Sequence, residues 1–242
     1  IVYLPDTFQA NDRRNAEGPA PSRAAAGLPE SGFVFCSFNN SYKITPRLFD
    51  IWMRLLQRVD DSVLWLLGGN ATVERNLRKE AAGRGVDPAR LIFAPRIAYA
   101  DYLARLRLAD LFLDTFPFNA GTTASDALWA GLPLVTCPGE AFASRMAGSL
   151  LSAIGMAELI ADSLTGYEAL AYRLAHDSDL LTSTKAKLAR HRDSHPLFDT
   201  KRFTRHLEAA YTAMIERHRA GLPPDHIFVP TFEAAHSARS TG

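Results

Sequence analysis

The chain has 242 residues, 47% of them hydrophobic and 22% charged, which suits a soluble globular protein: one large domain, or one domain with extensions. A net charge of +1 gives no electrostatic reason to expect nucleic acid or an anionic membrane as a partner, and no apolar run approaches the roughly 18 residues of a membrane helix. No signal peptide is visible, and Cys36 and Cys137 lie in apolar strand-like runs as buried thiols, which suits a reducing compartment such as the cytoplasm.

Ile1–Leu4 is a short β-like run with nothing before it to pair with. From Asn11 to Gly32 the chain is rich in Pro, Ala, Gly and Arg without apolar periodicity, as in a linker or surface loop. A regular alternation follows. Phe33–Phe38 reads as a strand, and Pro46–Val59 as a helix with Leu48, Ile51, Trp52, Leu55 and Leu56 at helical spacing. Ser62–Leu67 is the second strand, Val73–Arg84 a helix, Leu91–Ala94 the third strand, Tyr99–Leu108 a helix and Asp110–Leu113 the fourth strand. Thr122–Ala130 is a helix marked at its end by Gly131 and Pro133, and Pro133–Thr136 is the fifth strand. Beyond it lie a helix at Ala143–Ile154, a short run at Glu158–Ile160, and helices at Leu164–Ala175, Leu180–Arg190 and Thr204–Ala220. The IFVP run after His226 leads into a polar end where little order is expected. This alternation predicts an α/β fold: a Rossmann-like, doubly wound parallel sheet with extra C-terminal helices. The predicted division is a leading segment at 1–32, the sheet-forming lobe at 33–198, and a last helix with tail at 199–242.

Chemistry is expected at the carboxyl edge of that sheet, where ligands of open α/β folds bind. After the fourth strand, a Pro/Asn/Gly loop runs into Gly121, Thr122 and Thr123, a helix start whose free amides and positive dipole end suit a phosphate. Asp126 lies four residues after Thr122 on the same helix face, placed to accept hydrogen bonds from a ribose. Together these suggest a nucleotide-sugar site. The same spelling, Thr123-Ala-Ser-Asp126, also fits a capping box in a helix holding no ligand. After the first strand, Asn39-Asn40 and Lys43 bring turn formers and a cation to the same edge; a lysine in such a turn is ordinarily solvated. Tyr99, Tyr102 and Arg105 form one helical stripe, a face for a flat base or half-buried amphipathic residues. Gly139 can offer an amide to a phosphate or sugar, while Glu140 can simply cap the following helix. None of the seven histidines has metal-ligand spacing.

The segments FNNSYKITP, SVLWLL, LADLFLDTFPFNAGTTASDALWAGLPLVTCPGEAFASR, HPLFDTKRFT and PPDHI resemble the O-linked N-acetylglucosamine transferase family, over roughly Tyr3–Pro230. The plant-type O-fucosyltransferases share part of the pattern. The resemblance implies the C-terminal, donor-binding lobe of a two-lobed B-type glycosyltransferase, preceded by an N-terminal catalytic lobe and tetratricopeptide repeats. It implies transfer with inversion, without metal or other cofactor, from UDP-N-acetylglucosamine to Ser or Thr hydroxyls of a protein or peptide acceptor. Carried over by position, Lys43 and Asn40 contact the donor diphosphate, Thr122 and Thr123 bind it at the helix start, and Asp126 holds the ribose. Arg105 lies against the uracil, and a backbone group at Ile97 reads the base edge. Tyr102 stands in place of a family histidine at the base, Tyr99 in place of a lysine near the ribose, and Gly121 in place of a histidine beside the phosphates. The resemblance leaves a GDP-fucose-dependent transferase as the alternative activity; the residues by themselves leave a non-catalytic α/β interaction module, whose loops bind nothing, as the alternative of another class. The resemblance places the general base outside these residues. All of it requires the Lys43 and Thr122 loops to face each other closely enough to grip one pyrophosphate.

Overall fold

A computed structural model describes residues 1–13, 19 and 21–231; the rest of the 11–32 stretch and the tail after 231 lie outside the described residues. Four apolar runs become neighbouring strands; the three inner ones are buried on both faces, which removes the need for alternation, while the edge strand Leu91–Ala94 is only partly covered. They are β2 (Val34–Ser37), β3 (Val63–Leu67), β4 (Leu91–Ala94) and β5 (Leu111–Leu113), following a short β1 (Val2–Tyr3). With β6 (Leu134–Val135) they make a five-stranded, all-parallel sheet in the order β4-β3-β2-β5-β6. Thr136 extends the β6 edge by one bridge to Ile160, from the run read in the sequence as Glu158–Ile160.

The order reverses between β2 and β5, and the loops leaving those two strands diverge around a crevice at the carboxyl edge. Crossover helices α1 (Pro46–Arg58), α2 (Ala71–Gly83), α3 (Tyr99–Leu106) and α4 (Thr122–Trp129) connect successive strands. Helix α1 starts where Thr45 accepts a hydrogen bond from the Leu48 amide and Pro46 takes the first position. Its apolar stripe, Leu48 to Leu56, is buried as the spacing requires. Gly131 ends α4 with a φ of 81°, a left-handed turn that lets the Leu132 amide close onto the Ala127 carbonyl.

The second half adds α5 (Met146–Ala153), α6 (Leu164–His176), α7 (Ser178–Ser194), α8 (Thr200–Arg219) and β7 (Ile227–Phe228). Helix α6 packs on α1, and α4 packs on α3, α5 and α7. The helix expected from Ala143 begins at Met146 instead, after a 3-10 turn at Phe142–Ser144. The first strand does find a partner: β1 pairs with β7 in parallel, and the Tyr3 and Phe228 rings stack 4.5 Å apart. Asp6 receives both arms of Arg202 from α8, at 2.6 and 3.0 Å. Asn11 accepts from Ser125 of α4 at 2.5 Å and donates to the Leu197 carbonyl. The described part of the leading segment is therefore strapped along the lobe. Further on, Leu28 is buried in the core after a single 3-10 turn at Ala24–Ala26. Both cysteines are buried and free. Among the described residues no helix is long and apolar enough to cross a membrane.

Candidate functional site

The crevice is closed at its base by side chains that join the two diverging loops. Asn39, 3% exposed, donates to Thr115 Oγ1 at 3.0 Å and accepts from Thr123 Oγ1 at 2.8 Å. It thereby staples the β2 loop to the β5 loop and to the start of α4. One turn of 3-10 helix, Ser41–Lys43, then carries Lys43 across the gap. Its Nζ donates to the Asn119 carbonyl at 2.9 Å and lies 3.8 Å from the centre of the Phe118 ring. Burial lowers the Lys43 pKa, and the negative charge of Asp114 opposes that shift.

The β5 loop is organised by Asp114, 1% exposed. Its Oδ1 accepts from the amides of Thr115 and Ala120, both at 2.7 Å, and its Oδ2 accepts from Thr136 Oγ1 at 2.6 Å. Asn119 is fixed as well: its amide donates to the Ala143 carbonyl and its side chain to the Thr115 carbonyl, each at 2.8 Å. The loop delivers the chain to Gly121, the N-cap of α4, where no side chain caps the helix. A Cβ at Gly121 would run into the end of the Met146 side chain. The amides of Gly121, Thr122 and Thr123 have no acceptor among the described residues, leaving a concave set of donors at a helix start. The capping-box alternative for Asp126 falls here, because Asp126 takes its hydrogen bond from Tyr99 Oη at 2.7 Å instead.

One turn into α4, a hollow of about 250 Å³ gathers Ile97, Tyr102, Arg105, Thr123 and Asp126, all singled out in the sequence. Phe38, Leu67, Arg96 and Tyr99 complete its walls. Arg105 is 4% exposed; it donates to the Pro95 carbonyl at 2.6 Å and sits 4.7 Å over the Phe38 ring. Arg105 Nε is buried with no hydrogen-bond partner. Burial raises the Asp126 pKa, and the hydroxyls of Tyr99 and Tyr102 that face the carboxyl work against that rise. Asn40 is not part of this wall. It borders a neighbouring hollow beside Gly68 and Gly69, with its Oδ1 receiving Arg96 Nη2 at 3.2 Å.

A larger hollow, about 880 Å³, lies elsewhere, between residues 2–8, α5, α8 and the loop after β6. None of the candidate residues except Glu140 borders it. The Lys43 ammonium is instead bonded to the loop that leads into the α4 start, whose Thr123 and Asp126 border the 250 Å³ hollow. Gly139 offers no amide to a ligand, since its N–H is committed to the Ser144 carbonyl at 2.8 Å. Glu140 caps neither the 3-10 turn nor α5. The described residues contain no group of three or more His, Cys, Asp or Glu placed to hold a metal ion.

Sequence reasoning passed over Asn39 and Asp114 as functional residues. Their signal was position alone: each polar side chain directly follows a buried strand at the point where the strand order reverses. Burial pushes the Asp114 carboxyl up to about 7, against its three hydrogen-bond donors. A carboxyl whose folded pKa lies above its unfolded value binds more protons when folded. Its contribution is full below about pH 4 and is lost as pH rises through 7, a change on the order of 4 kcal/mol. Denaturant unfolding of wild type and Asp114→Asn across that window should therefore show the wild type losing ground to the variant as pH rises; parallel curves would contradict the buried titration.

The model of glycosyl transferase family 41 matches residues 10–207. A UDP-N-acetylglucosamine–peptide N-acetylglucosaminyltransferase of Caenorhabditis elegans is 42% identical over 85% of this chain and 18% of its own length. A probable enzyme of the same name from Arabidopsis thaliana is 39% identical over 95% of this chain and 24% of its own. The chain thus spans about a fifth to a quarter of these relatives. Among solved structures, a variant of the Thermobaculum terrenum O-GlcNAc transferase superposes with a TM-score of 0.74 at 30% identity, over 85% of this chain and 38% of that one.

Proposed function

This chain belongs to glycosyl transferase family 41, and on that premise we propose that it is the donor-binding half of a protein O-N-acetylglucosaminyltransferase. In this reading the Lys43 ammonium and the Gly121–Thr123 amides take the diphosphate of UDP-N-acetylglucosamine. Asp126 takes the ribose, and the hollow lined by Ile97, Tyr102 and Arg105 takes the base. The observation that carries it is the convergence of a cation and a free helix start on one crevice, with a carboxylate one turn further into the same helix. An acceptor Ser or Thr hydroxyl attacks the anomeric carbon as its bond to the diphosphate oxygen breaks. Configuration inverts, UDP departs, and the hydroxyl proton passes to a base in an N-terminal lobe. Lys43 and the amides meet the charge growing on the leaving oxygens, so no metal is required. The 242 residues alone bind UDP weakly and do not turn over.

Calorimetric titration of UDP against GDP is the direct test; preference for GDP would move the reading to fucosyl transfer, and no binding of either at millimolar concentration to a non-catalytic module. Asp126→Ala removes a charged acceptor worth about 1.5–3 kcal/mol and should weaken UDP roughly 10- to 150-fold. The same variant should bind 2′,3′-dideoxy-UDP no worse than wild type does, because the lost partner is the sugar diol. Equal losses for both ligands would place Asp126 outside the ribose contact.

A further inference from the structure

We propose that Asp114 is a positioning residue of the donor site, aiming the Lys43 ammonium through the one peptide unit that both side chains grip, Asn119–Ala120. The proposal rests on reading this crevice as a diphosphate site. The Ala120 N–H donates to Asp114 Oδ1 at 2.7 Å, and the Asn119 C=O at the other end of the same planar amide accepts Lys43 Nζ at 2.9 Å. An anion on the N–H polarises the amide and makes its carbonyl a stronger acceptor for the ammonium. Neither end is free to drift. The carboxylate is locked by Thr115 and Thr136, and Asn119 by the Ala143 and Thr115 carbonyls.

The interposed peptide has a chemical consequence. A carboxylate bonded directly to Lys43 would cancel the charge that a diphosphate needs. Set one amide away, it steadies the ammonium while two of the three N–H donors remain for a ligand. Its charge also offsets the burial that lowers the Lys43 pKa. The other titratable groups facing Asp114 are Tyr167 from α6, whose hydroxyl donates to the Asp114 carbonyl at 3.0 Å, and Cys137 beyond β6. Burial raises both, so neither ionises near neutral pH.

The test is a pH titration of the 242-residue chain labelled with ¹³C at the lysine ε-carbons, the Lys43 signal being assigned by its loss in Lys43→Met. In wild type that signal should step as Asp114 ionises and then titrate in its own right at higher pH. In Asp114→Asn, which keeps the acceptor oxygen and drops the charge, the step should vanish and the Lys43 midpoint should fall to lower pH. An unmoved midpoint overturns the proposal. Should the variant not fold, the wild-type step decides alone, and its absence has the same force. Adding millimolar UDP separates the two readings. A Lys43 response to UDP without coupling to Asp114 removes Asp114 and keeps the donor site. Coupling without a UDP response removes the donor site, and with it the role proposed for Asp114.

Discussion

Replacing Lys43 by alanine in the complete enzyme should lower turnover by about 10²–10³, the scale of losing one preorganised donor to developing negative charge. The side chain is not a solvated lysine. It is half-buried, bonded to the Asn119 carbonyl and seated on Phe118. Its rotamer entropy is thus largely spent before a ligand arrives, so the charge is in place when the leaving oxygens develop theirs. The effect should fall mainly on kcat, because a departing diphosphate gains charge that the bound donor does not yet carry. Lys43→Arg should restore only part of the rate, since a delocalised planar guanidinium does not place the compact point charge of the ammonium at the same spot. Turnover of Lys43→Ala equal to wild type would remove Lys43 from the mechanism.

The elements that were legible in the sequence are those whose information is local. The stripe of α1, the stop at Gly131 and the helix start after Gly121 each follow from a few neighbouring side chains. What was hidden depends on partners far along the chain. Nothing near Ile1 announces that it will lie beside Ile227, because pairing is decided by α8 returning the chain across the lobe. Asp126 could serve either the backbone of its own helix or a distant side chain. Tyr99 on α3 won that competition, and spacing could not have settled it. Gly139 looked available for the same reason: its amide partner, Ser144, depends on how the following turn folds back. Asp114 and Asn39 were invisible as site residues because their roles exist only once β2 and β5 lie side by side.

Truncating Trp65 should show how far the crevice depends on the core beneath it. Trp65 is 1% exposed in the middle of β3, and its indole meets Phe38 edge-on at 4.9 Å. The Arg105 guanidinium sits 5.9 Å from the same ring and 4.7 Å from Phe38, so the base-side wall is built on this stack. Trp65→Ala should cost about 3–5 kcal/mol of stability, or a melting temperature lower by on the order of 10 °C for a chain of this length. Phe198→Ala is the comparison: that ring is equally buried, packs edge-on to Trp129 at 5.0 Å, and borders no part of the crevice. Both variants should melt early, but only Trp65→Ala should weaken UDP, because only there does the new void let Phe38 tilt and Arg105 lose its support. Trp65→Phe should recover most of both losses, since the indole Nε1 has no hydrogen-bond partner to forfeit. UDP affinity unchanged in a folded Trp65→Ala would mean that the base wall stands without the aromatic stack.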